Sequence, residues 1–150
     1  MSRRIRSAVV ALGLAAAGLV VGTSTASAGG YGCAGSEIDT YPVTSGSTTY
    51  GVIHLYYDSS DGTNCAVNVA TSAGGYGADK YMSVSLILCS QTSPSSTCAI
   101  LDAVVDAKTY KYYAGPVPVG ARGHCIQVRG RITYNGHEAS GGSTGATHCG

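Results

Sequence analysis

Apolar and polar positions alternate along Lys80–Cys89. Met82, Val84, Leu86 and Leu88 fall on one face, and Ser83 and Ser85 on the other. A period of two is the signature of a strand with one buried face. The same reading applies to Tyr50–Tyr57, with Ile53, Leu55 and Tyr57 together, and to Cys65–Thr71, with Cys65, Val67 and Val69 together. Between these two runs lies Asp58-Ser-Ser-Asp-Gly-Thr-Asn64, where Gly62 supplies a positive φ and the Asp and Asn side chains support a turn. The two runs therefore predict a hairpin. Cys98–Val105 is expected to return beside Lys80–Cys89. Tyr110–Val119 holds a further strand, ended or bent by Gly115-Pro116 and Pro118. Cys125–Tyr134 alternates again, with Ile126, Val128, Ile132 and Tyr134 inward and Gln127, Arg129, Arg131 and Thr133 outward. Asn135-Gly136 is a turn, and His137–Gly150 reads as a glycine-rich tail.

No stretch keeps a helical period. Short strands punctuated by Gly, Asn and Pro predict an all-β fold: a small, disulfide-stapled antiparallel β-sandwich or barrel. The outward row Gln127, Arg129, Arg131 and Thr133 is its candidate binding surface. Eleven tyrosines and no Phe or Trp give a core whose bulky residues are expected near the surface, rings packed and hydroxyls wet.

Residues 1–28 belong to a different pattern. Arg3, Arg4 and Arg6 precede an uncharged apolar run, Ala8–Gly22, and Ala26-Ser27-Ala28 is a cleavage signal. This is a secretory signal peptide, too short for a membrane span, so the mature protein is expected to be a single domain, 29–150, outside the cell. Removing it changes the charge. The precursor carries +1, whereas residues 29–150 hold six Lys or Arg against eight Asp or Glu, a net −2. A mildly acidic chain with scattered charge argues against a nucleic-acid partner, and after cleavage no apolar segment remains to hold a membrane.

Cys33, Cys65, Cys89, Cys98, Cys125 and Cys149 all lie beyond the cleavage site. An even count in a small exported chain reads as a disulfide framework. No spacing matches a zinc site, and no cofactor is expected. Six cysteines allow fifteen pairings. If Lys80–Cys89 and Cys98–Val105 form a hairpin, Cys89 and Cys98 close its mouth. Cys125–Cys149 would pin the tail, and Cys33–Cys65 would fasten the N-terminal arm to the first hairpin. Cys89 is in register with the serines of its strand, which places its bond outside the main core and makes Ser90–Thr97 a display or spacer loop.

The segments YYDSSDGTNC (56–65), YKYYAGPVPVGARGHCIQVRGRI (110–132) and HCG (148–150) resemble the spore-associated protein A family, small exported proteins of filamentous actinobacteria. The resemblance covers most of residues 29–150 and rests on turn and cysteine signatures rather than chemistry. The family's four cysteines correspond to Cys33, Cys65, Cys125 and Cys149. Cys89 and Cys98 are additional and are thereby implied to pair with each other. The resemblance implies export and surface association, and no reaction.

Catalytic patterns are poor. No G-x-S-x-G elbow occurs. His137-Glu138 opens like a zincin motif, but Gly141 stands where the second histidine belongs. His124, His137, Glu138 and His148 would converge only if the Cys125–Cys149 bridge folds the tail back. His54 reads as an ordinary strand histidine. Glu37 and Asp39, two apart on an extended segment, would share a face. Asp58 and Asp61 read as turn caps. Catalytic and metal residues are therefore expected to be none. The expected function is that of an exported, non-enzymatic protein on the spore or aerial-hypha surface, with spore or cell-wall polymers as partners. The alternatives are a polysaccharide or cell-wall binding module and, less favoured, a protease inhibitor presenting loop 90–97.

Overall fold

A computed structural model describes residues 29–150; the signal peptide read over 1–28 lies outside them. The eight strands are β1 (Ser36–Ser45), β2 (Thr48–Asp58), β3 (Thr63–Ala70), β4 (Lys80–Cys89), β5 (Ile100–Tyr110), β6 (Tyr113–Gly120), β7 (Ile126–Tyr134) and β8 (His137–Gly142). They form one antiparallel sheet in the order β5-β4-β7-β8-β1-β2-β3-β6, rolled into a nearly closed barrel. The all-β, disulfide-stapled architecture expected from the alternation is what the chain adopts.

The interior holds Ile53, Leu55, Met82, Val84, Leu86, Ile126, Val128 and Ile132, all wholly buried. Apolar residues inside and charged residues outside invert the plan of a transmembrane barrel, whose apolar band faces outward. Asn68 of β3 stands in this core, its amide donating to the carbonyls of Ser83 (3.0 Å) and Arg131 (3.2 Å) on the opposite wall. Gly51 and Gly130 make room for it: a Cβ on either would lie within about 3 Å of the Asn68 side chain.

Three boundaries differ from the sequence reading. The segment His137–Gly142 is not a tail but a strand, paired with β7 and, at Ser140, with Thr44 of β1. Its glycines reflect crowding: a Cβ on Gly141 would collide with the Pro42 carbonyl. Strand β5 runs on to Tyr110, and the turn to β6 is Lys111-Tyr112. Pro116 and Pro118 are tolerated because β6 is an edge strand, where a missing N–H need not break a ladder.

The edges β5 and β6 approach each other without a ladder. A side chain bridges them. The Asp106 carboxylate on β5 accepts the Gly115 amide of β6 (2.7 Å) and the Tyr110 hydroxyl (2.5 and 2.7 Å). That bond, then burial and the Asp106 charge, push the Tyr110 phenol up to about 12. At the same end Lys80 is 5% exposed. Its ammonium donates to the carbonyls of Gly75 (2.9 Å), Ala78 (2.9 Å) and Lys111 (2.6 Å), which ties loop 71–79 to the β5–β6 turn. Burial pushes its pKa down, with Asp79 opposing.

Candidate functional site

All six cysteines are bonded as expected, Cys33–Cys65, Cys89–Cys98 and Cys125–Cys149. Bridges of this kind are typical of oxidising, extracellular settings. They do different things on different walls. On β3, Ala66 and Ala70 face the interior while Cys65, Val67 and Val69 face outward. That outer face is nonetheless buried. The arm Gly29–Gly35, bonded through Cys33, lies over it, with Gly30 against the Tyr56 hydroxyl. Tyr31 of the arm contacts His54 and Tyr113.

The other two bridges meet at one end of the barrel. Cys89 and Cys125 are wholly buried and form, with Ala146, a cluster separate from the main core. The Cys89–Cys98 bond thus lies outside the main core, but it is not at the surface. Loop 90–97 is not a free display either. Ser95 and Ala146 exchange both backbone hydrogen bonds (3.1 and 2.9 Å), and the Cys125 amide donates to Gln91 (2.7 Å). The loop is a clamp on segment 143–147. Thr92, Ser93, Pro94, Ser96 and Thr97 remain exposed on the loop.

The candidate binding row lies where the alternation placed it, on the outer side of β7, but its members fare differently. Gln127 is 7% exposed, because segment 143–147 crosses the end of β7 there, Ile126 pairing with Thr147. Thr133 lies beyond the groove, between Tyr81 and Glu138 in register. Arg129 and Arg131 are exposed and stand at the centre of a groove of about 690 Å3. The register explains its shape. Val105, Ser85, Arg129 and Gly142 form one row across β5, β4, β7 and β8, and Ala107, Ser83, Arg131 and Ser140 form the next. Strands lie about 4.8 Å apart and same-face rows about 7 Å apart. Two guanidinium groups therefore rise from a floor of Ser, Ala and Gly, with the exposed Val105 on the β5 side and the half-exposed Tyr81 at one end.

No carboxylate lines this groove. Arg131 donates to Glu138 (3.2 Å) at its rim, an exposed pair worth little in water. Arg129 donates to Gln127 (3.3 Å). The sequence marked the two arginines. It did not mark Tyr81, Ser83, Ser85 or Ser140, because the strand order that gathers them is not consecutive.

The other candidates separate. Glu37 and Asp39 do not share a face: a register shift between them, a bulge at Ile38, turns one outward and the other inward. Glu37 meets His54 (2.6 Å) on the outer wall, whereas Asp39 meets His148 (3.1 Å). His148 also bonds the Tyr41 hydroxyl (3.1 Å). Partial burial pushes the Asp39 carboxyl up. The bonds from Tyr41, the Thr40 amide and His148 outweigh it and hold Asp39 below the usual carboxylate range. Asp58 accepts from Ser60, and Asp61 from the Thr63 amide, as turn caps. The Cys125–Cys149 bridge brings the chain at His124 and at His148 together, the His124 carbonyl accepting the Gly150 amide (3.4 Å), but His137 and Glu138 do not join them. His137 lies beside Tyr50, Glu138 pairs with Arg131, and His148 with Asp39. Among the described residues no three His, Cys, Asp or Glu are grouped to hold a metal ion. Comparisons with protein families, with characterised proteins and with solved structures found no match for the chain.

Proposed function

We propose that the chain is an exported, non-enzymatic protein that attaches to a spore or cell-wall surface, and that the outer face of β4, β7 and β8 is its contact surface. The observation that carries this reading is the groove over Arg129 and Arg131. It is a preformed surface on strands, with hydroxyl donors and acceptors from Ser83, Ser85 and Ser140, two exposed guanidinium groups and the apolar Val105 and Tyr81. The signal peptide and the resemblance to the spore-associated protein A family support export and surface association. The polysaccharide-binding reading draws on the same groove, since Tyr81 offers a ring on which a sugar can stack and the serines match sugar hydroxyls.

Co-sedimentation of the purified mature protein with washed spores and with isolated cell walls tests the proposal. Retention in both pellets, reduced by Ser83→Trp, which fills the groove floor, is expected. A protein that stays in the supernatant with every surface contradicts it.

A further inference from the structure

Resting on that reading of the groove, we infer that its ligand is a polyanionic glycan: a linear sugar or polyol polymer with repeating carboxylate or phosphodiester groups, held by Arg129 and Arg131. Charge carries this step. Residues 29–150 hold more acids than bases, yet the groove contains two cations and no carboxylate. The other described cations stand away from the groove lining: Lys108 is exposed on β5 and Lys111 in the β5–β6 turn. Lys80 is buried among carbonyls, and Arg122 donates to the Ser60 (3.1 Å) and Asp61 (2.9 Å) carbonyls. The groove thus sets two cations side by side on a molecule of net negative charge, which favours a polyanion here.

Geometry narrows the class. Arg129 and Arg131 are alternate residues of one strand, so their side chains emerge about 7 Å apart on the same face. A guanidinium presents a planar fork suited to a carboxylate or a phosphate. On both sides of the pair the neighbours in register are small: Ser85 and Gly142 beside Arg129, Ser83 and Ser140 beside Arg131. An extended chain can lie across the strands over these residues. Its anionic groups would meet the guanidinium groups and its hydroxyls would meet the serines. Glu138, at the rim beside Arg131, gives up an exposed pair that costs little to break.

Affinity measurements with defined probes test this: polygalacturonate for the carboxylate source, poly(glycerol phosphate) for the phosphodiester source, dextran as a neutral polymer and single-stranded DNA as an unrelated polyanion. Binding of one or both of the first two, weakening with salt and at least about tenfold tighter than dextran, is expected. Arg129→Gln combined with Arg131→Gln should lose about tenfold or more of it, while Arg122→Gln leaves it unchanged. An unchanged melting temperature of the double variant separates lost binding from lost folding. Dextran binding as tight as the acidic polymers, DNA binding as tight as either, or acidic-polymer binding indifferent to the arginine substitutions would overturn the inference. Retention on whole walls that ignores the double variant overturns it while leaving surface attachment standing. Retention on no surface removes both.

Discussion

The barrel has two outer walls built from the same kind of strand, and they end in opposite states. On the β2–β3 wall, Tyr56, Cys65, Val67 and Val69 face outward and are buried beneath an arm fastened by Cys33–Cys65. On the β4–β7–β8 wall, Ser83, Ser85, Arg129, Arg131 and Ser140 face outward and line an open groove. The difference lies in what each wall was given to cover. Outward Val and Tyr rings create apolar area that water penalises, by roughly 25 cal/mol per Å2, so a covering segment stabilises the fold. Outward Ser and Arg have no such need, so nothing lies over them. The first wall is structural and the second is free to meet a partner.

The largest effect should come from uncovering the closed wall. Cys33→Ser with Cys65→Ser should cost about 3.5 kcal/mol by the loop-entropy estimate. It should also expose Val67 and Val69, read as a lower denaturant midpoint and proteolytic cleavage within Gly29–Gly35. Arg129→Gln with Arg131→Gln, on the open wall, should shift stability by no more than about 0.5 kcal/mol. Equal costs for the two pairs would erase the contrast.

Cys89→Ser with Cys98→Ser comes next, at about 1–3 kcal/mol, since the enclosed loop is the shortest of the three. The loop also clamps segment 143–147, whose Ser143 and Thr144 line the open groove. This variant should therefore stay folded and weaken surface retention. A variant that unfolds outright at room temperature would make the bridge part of the core.

The smallest effect concerns the seam where β5 of the open side meets β6 of the covered side. The Tyr110 phenol is raised to about 12 by its bond to Asp106, above about 10 in an unfolded chain. Between those values the folded state holds the proton more tightly. Its contribution is complete below pH 10 and is lost as pH rises through 12. Tyr110→Phe should therefore flatten the alkaline decline of stability over that window, measured by denaturant titration at several pH values. An unchanged slope would mean the seam does not depend on this bond.

How much of this was legible depends on the segment. Strands β2, β4 and β7 announced themselves because each has one apolar face, and the outward arginines of β7 followed directly. Strand β8 was hidden by its glycines, which the close approach to β1 requires but which read as a tail. The bulge at Ile38 has no signature that inverts the facing of Glu37 relative to Asp39. The Asp39–His148 contact joins residues 109 apart and depends on where the Cys125–Cys149 bridge sets the last residues down. The groove itself could not be assembled from the chain, because β7 lies between β4 and β8 and its floor draws on these three strands and β5.

Nuclear magnetic resonance mapping with an acidic oligosaccharide tests most directly whether the open wall is the working surface. Titrating oligogalacturonate should shift the amides of Ser83, Ser85, Arg129, Arg131 and Ser140 and the Arg129 and Arg131 side-chain signals, and leave Tyr56, Val67 and Val69 still. Shifts confined instead to the exposed rings of Tyr31, Tyr76, Tyr112 and Tyr113 would contradict it and move the contact surface to the arm and the β5–β6 turn.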